Sequence, residues 1–155
     1  MTEENKQLRM QIEDAVKLHG HLGPFLVIGV RMGQVANRLL DPQKHQHADL
    51  KVSVELHLHT PFSCTLDGIQ SVTHCTIGNQ RLTAKESRRK ITARFEATDS
   101  DKILAITVNP EIIKNMTDRL SNGTSNENMA DVIASAPESQ LFKFNIVKKR
   151  GGTKH

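Results

Sequence analysis

The sequence predicts an α+β domain, and three observations lead there. Residues 5–19 carry Leu8, Ile12, Ala15 and Val16 at helical spacing on an otherwise polar stretch. Residues 50–59 alternate strictly, with Leu50, Val52, Val54, Leu56 and Leu58 on one face and Lys51, Ser53, Glu55, His57 and His59 on the other. That is the pattern of a half-buried strand. The whole chain then reads helix, helix, strand, helix, three strands, two helices, strand, an order that fits segregated helices and sheet.

The first helix is expected to stop at Gly20, because glycine tolerates the left-handed conformation past a helix end. Pro24 suits the first position of the next helix, where its missing N–H has no intrahelical partner. From Phe25 to Leu40 the chain begins apolar almost all round, which marks a buried helix. Gly29 and Gly33, four apart, would let another backbone come close. Asp41-Pro42 ends the helix. The strand from Leu50 runs to Pro61, and Ser63 or Thr65 caps a short helix through Asp67, Ile69 and Val72. Asp67 in its first turn suits the helix dipole.

Residues 81–85 and 90–98 read as two strands around a turn at Ser87-Arg88-Arg89. After a turn at Asp99-Ser100-Asp101, Ile103 to Val108 is a more continuously apolar strand. Asn109-Pro110 opens a helix to about Leu120, with Ile112, Ile113 and Met116 inward. Thr124 and Glu127 form a capping box for a helix to Ser135. Pro137 closes it, and Leu141 to Val147 is the last strand. The expected organisation is one domain over residues 1–148 with a basic, disordered tail over 149–155.

Composition narrows the function classes. The 155 residues contain two cysteines, Cys64 and Cys75, so a disulfide framework is not expected. The polar start MTEENKQLRM does not resemble a signal peptide, and no apolar run approaches a membrane span. A reducing cytoplasm is the expected setting. The net charge of +4 collects in KKRGGTKH and in Lys85–Lys90, and Trp and Tyr are absent. A nucleic-acid platform interleaves basic groups with stacking aromatics, so neither nucleic acid nor membrane is an expected partner.

Chemistry concentrates in two stretches, HGHLGPFLVIGVRMG from His19 and CTLDGIQSVTHCTIG from Cys64. His19 and His21 flank a glycine at a helix end, where both rings can leave the core, and neutral imidazole is the commonest metal ligand. Histidines this close are still more often surface residues than ligands. Cys64 and Cys75 bracket the short helix, too far apart for a zinc knuckle. Free cysteine often packs as a small hydrophobe, but as thiolate it suits zinc or another late transition metal. Asp67 and Gln70, three apart, share one side of that helix. They are either surface groups or acceptors that orient a ligating histidine. His57 and His59 read as exposed face residues, and His45 and His47 as solvated loop residues. No catalytic triad, P-loop or dinucleotide fingerprint is present, and no residue is assigned a catalytic role.

The three stretches HGHLGPF, CTLDGIQ and THCTIG resemble, in order, motifs of the FmdE family of formylmethanofuran dehydrogenase proteins, over roughly residues 10–110. The resemblance implies an α+β domain with a mixed sheet, similar to the second domain of glyceraldehyde-3-phosphate dehydrogenase. It also implies a metal site near the motifs and a tendency to form homodimers. The C-terminal zinc ribbon common in the family has no cysteines here. The matching positions are His19, His21, Cys64, Asp67, Gln70, Cys75, Thr76 and Gly78. Two positions depart: the family's cysteine before the proline is Gly23, and its glycine before the second cysteine is His74, which could replace the lost ligand.

The leading expectation is therefore a metal-binding member of this family, accessory or related to formylmethanofuran dehydrogenase and one-carbon metabolism. His21, Cys64 and Cys75 are the preferred ligands and His19 the next, with Asp67 and Gln70 in support and zinc as the default metal. Two alternatives stand beside it. One is a dimeric carrier of a pterin or a haem-like tetrapyrrole, with the apolar helix from Phe25 against the flat ligand. The other is a non-catalytic protein docked on a larger oxidoreductase as one of its subunits.

Overall fold

The computed structural model describes residues 2–40, 49–98 and 100–149. Helices α1 (Glu3–His19) and α2 (Pro24–Leu40) precede strand β1 (Leu50–Leu56), helix α3 (Cys64–Thr73) and strands β2 (Leu82–Glu86), β3 (Thr92–Ala97) and β4 (Lys102–Val108). Helices α4 (Pro110–Ser121), α5 (Asn126–Ser135) and α6 (Glu138–Leu141) and strand β5 (Phe142–Lys148) complete the chain. The expected α+β class with a mixed sheet is what the structure has. His45, His47, the Asp41-Pro42 stop and the tail from 150 lie outside the described residues, as does Asp99.

α1 starts where Thr2 Oγ1 accepts from Asn5 N at 3.0 Å and stops at Gly20, whose φ of 106° is left-handed. Its apolar stripe does not face the sheet. Ala15, with Leu8, Ile12 and Val16 around it, packs on Leu26 and Val30 of α2 and Val72 of α3. α2 is buried on nearly every side, against α3, α5 and the sheet. Most of its apolar residues are buried in the packing.

α2 and α3 cross at close range. A Cβ on Gly29 would stand 2.1 Å from the Thr65 carbonyl, and one on Gly68 would stand 2.2 Å from the Leu26 carbonyl. Two opposed glycines let the helix backbones touch, and no larger residue fits either place. Gly33 meets Val72 and Thr73 side chains instead. This contact fixes the N-terminal half of α3 against the start of α2.

The five strands run in the order β2-β1-β3-β4-β5, with β1 and β2 parallel and every other pair antiparallel. Phe95, Leu104 and Ile106 are fully buried on the helix-covered face, each worth roughly 1.5–3 kcal/mol of burial. The segments on either side of Ser87-Arg88-Arg89 are not neighbours as the turn implied. β1 lies between them, because α3 returns the chain to start β2 beside β1 in the same direction. β1 is also shorter than its alternation predicts. Its pairing with β2 ends at Leu56↔Glu86. The Leu58 N–H then goes to the Glu86 carboxylate at 2.9 Å rather than to a strand, and Leu58 is 44% exposed.

Near the C-terminus the α5 cap is Ser125, whose Oγ accepts from Asn128 N at 3.0 Å, one residue past the expected Thr124. α6 was not anticipated. It is held by Asn109, whose side-chain amide donates to the Gln140 carbonyl at 2.7 Å. Among the described residues no helix is long and apolar enough to cross a membrane.

Candidate metal site

The left-handed turn at Gly20 sends the chain back from α1 and carries His21 beside His19. Their ring centroids are 4.6 Å apart. α3, locked by the glycine crossing, presents Asp67 from its first turn to the same place. His19 Nδ1 and Asp67 Oδ2 are 2.7 Å apart, with the histidine side chain 13% exposed and the aspartate 41%. An imidazole that donates Nδ1–H to a carboxylate carries its lone pair on Nε2. That Nε2 atom is buried and has no hydrogen-bond partner. A desolvated acceptor without a partner costs on the order of 1–3 kcal/mol, and a carboxylate-oriented imidazole with a free Nε2 is the form in which histidine binds metal. This orphaned atom fits a metal ligand.

Cys64 is the first residue of α3 and 9% exposed. Burial, and then the charge of Asp67, push its thiol up from the ordinary range. Cys75 lies past the other end of the same ten-residue helix, 1% exposed, and its Sγ donates to the Leu50 carbonyl at 3.2 Å. Burial raises this thiol too. Cys64 and Cys75 thus lie at opposite ends of α3, and Cys75 sits as a small side chain within the core.

Gln70 is half-buried one turn beyond Asp67, and its carbonyl accepts the His74 N–H at 2.9 Å. His74 caps α3 in the left-handed conformation, φ 62°. That backbone explains a glycine at this position in the motif, and it puts His74 two turns from Asp67. Gly23 is buried where an added Cβ would meet only Asn126, at 3.7 Å, so the motif's cysteine has room for its Cβ.

His59 is exposed as expected, whereas His57 is half-buried. They follow the end of β1, with ring centroids 4.9 Å apart. His57 Nδ1 is 2.8 Å from Glu86 Oε2, and the His57 side chain is 24% exposed. The Leu58 N–H, and then His57, hold the Glu86 carboxyl below the usual carboxylate range. Phe62 packs on His57 at 5.5 Å and on Phe25 at 5.2 Å. The sequence signal for this cluster was the H-x-H itself, set at the mouth of a strand rather than within it. Among the described residues no three His, Cys, Asp or Glu side chains are gathered as a ready metal cage.

Comparison with known proteins identifies a family. The model of the FmdE family, described as molybdenum formylmethanofuran dehydrogenase operon, matches residues 18–143. A probable S-adenosyl-L-methionine-binding protein of Archaeoglobus fulgidus is 36% identical over 72 residues, 44% of this chain and 18% of that protein. The match thus spans under a fifth of that relative's length. The crystal structure of a tungsten formylmethanofuran dehydrogenase FmdE-like protein from Syntrophus aciditrophicus aligns with a TM-score of 0.62 at 18% identity. The alignment covers 96% of this chain and 77% of that one, a likeness of fold.

Proposed function

The chain belongs to the FmdE family, and from that premise we propose that it binds zinc or another late transition metal at His19 and His21. Asp67 orients the His19 ring, and Cys64, three residues before Asp67 at the start of α3, is the thiol that would join them. The observation that carries this reading is the buried, unpartnered Nε2 of His19 with its Nδ1 fixed by a carboxylate. Cys75 stays outside the ligand set, because its thiol is committed to the core and the length of α3 separates it from Cys64. Two imidazoles leave coordination positions open. Bound there, the metal supplies Lewis acidity and lowers the pKa of a bound water. The residues themselves bind and orient: the carboxylate fixes the tautomer, and burial of His19 keeps competing water off Nε2.

Elemental analysis of tag-free protein tests this. The expected result is near-stoichiometric metal in the wild type and in Cys75→Ser, and loss of at least ten-fold in affinity in His21→Ala. His21 is exposed, so that variant should fold. Metal retained in His21→Ala but lost in Cys75→Ser would overturn the assignment.

A second reading has an observation of its own. β5 is an edge strand with Phe144, Ile146 and Val147 39–46% exposed. Such an edge suits a docking role, on a second copy or on a larger oxidoreductase.

A further inference from the structure

The geometry points to a second cation site, separate from the first, at His57 and His59 beyond the end of β1. It would take a divalent late transition metal.

Its construction is specific. Glu86, the last residue of β2, uses both carboxylate oxygens on this loop. Oε2 holds His57 Nδ1 at 2.8 Å and Oε1 takes the Leu58 N–H at 2.9 Å. Arg88, 80% exposed, reaches the same Oε2 only at 3.7 Å. The ring of His57 is thus held in one orientation by the carboxylate and packed by Phe62 at 5.5 Å. With the proton on Nδ1, the lone pair is on Nε2. That orientation by a carboxylate is what metal-binding histidines share.

The second donor stands at the right separation. Two imidazoles on one tetrahedral zinc, with Zn–N of about 2.0–2.1 Å, place their ring centroids about 5 Å apart. His57 and His59 are 4.9 Å apart. The chain bends at Leu58 and His59 just past the strand, which keeps the two rings in contact while Leu58 is 44% exposed. With Glu86 engaged on His57 Nδ1 and the Leu58 N–H, the two imidazoles are the protein donors, and water or an incoming ligand would fill the remaining positions, as at an open rather than a closed site.

Nickel is the probe that reads this directly. Tag-free, uniformly labelled full chain is titrated with Ni2+ up to two equivalents and followed by amide NMR. The paramagnetic ion should broaden the signals of residues 56–60 and of Glu86. The same broadening is expected in His21→Ala, which separates this site from the His19–His21 pair. His59→Asn replaces an exposed ring, so it should fold, and it should abolish the effect at 56–60. Broadening confined to residues 19–23 up to two equivalents, no broadening at 56–60 in His21→Ala, or broadening at 56–60 that persists in His59→Asn would each overturn the proposal. His57 would then serve only to tie the end of β1 to the end of β2.

Discussion

The pair His19–His21 and the pair His57–His59 are assembled alike. In each, one Nδ1 is held by a carboxylate, at 2.7 Å by Asp67 and at 2.8 Å by Glu86. In each, a second ring lies alongside, at 4.6 Å and 4.9 Å. They differ in what surrounds them. His19 ends a helix packed against α2 and α3, is 13% exposed and has an enclosed Nε2. His57 hangs past the end of a strand and is 24% exposed. One motif chemistry thus gives an enclosed site or an open one according to the element it terminates. The enclosed pair depends on helix packing, the open pair on one carboxylate at a strand end.

The largest effect should come from attacking that packing. Gly68→Ala puts a methyl 2.2 Å from the Leu26 carbonyl, and overpacking against a backbone should cost about 3 kcal/mol or more. For a chain of this size that lowers Tm by about 6–12 °C. Under folding conditions the His19 pair should loosen, because Asp67 rides on α3, while Ni2+ broadening at residues 56–60 persists. Loss of both together would mean that the two pairs are not independent.

Removing the carboxylates sharpens the contrast. Asp67→Asn should weaken metal binding at His19 by about 10–100-fold, the usual penalty for losing an orienting group. Glu86→Gln should leave that affinity unchanged and act only at residues 56–60. A competition titration with a chromophoric chelator distinguishes them. Equal effects of both substitutions on one affinity would merge the pairs into a single site.

The smallest effect lies away from both. Glu138 and Arg38 form a bidentate pair at 2.8 and 2.9 Å. Chiefly through the Arg38 hydrogen bond, the Glu138 carboxyl sits below its ordinary value. A lowered carboxylate contributes stability that is fully present above the unfolded value of about 4.3 and lost as pH falls through the native one. Arg38→Gln should therefore cost at most about 1 kcal/mol near neutrality, since the pair is partly exposed and screened by solvent. Urea titrations should show that difference shrinking below pH about 4, with metal content unchanged.

Much of this was legible from local pattern. The alternation of residues 50–56 and the stop at Gly20 are set by side-chain period and backbone sterics, which act over a few residues. So is the buried character of the helix from Phe25. The placing of Gly29 for close backbone approach was legible too, but not its partner Gly68. The pairing across Ser87-Arg88-Arg89 was misread because a turn in sequence says nothing of a third strand lying between its arms. Cys64 and Cys75 share a motif, but that the Cys75 thiol donates to the Leu50 carbonyl of β1 is a long-range contact that no local pattern shows. The His57 pair was hidden for a similar reason. Its alternation continues past Leu56, but the strand's hydrogen bonds stop there, because Glu86 takes the Leu58 N–H that would have continued them.

The sequence by itself determined the α+β class, nearly every element and the family, since period, caps and motif order are written in adjacent residues. Tertiary structure alone decided that Asp67, 48 residues away, meets His19 and leaves its Nε2 enclosed. It also decided that Glu86 rather than a neighbouring strand receives the end of β1. Those are long-range contacts, fixed by two glycines that let helices touch and by a crossover that sets β1 at the side of β2, and no local pattern encodes them.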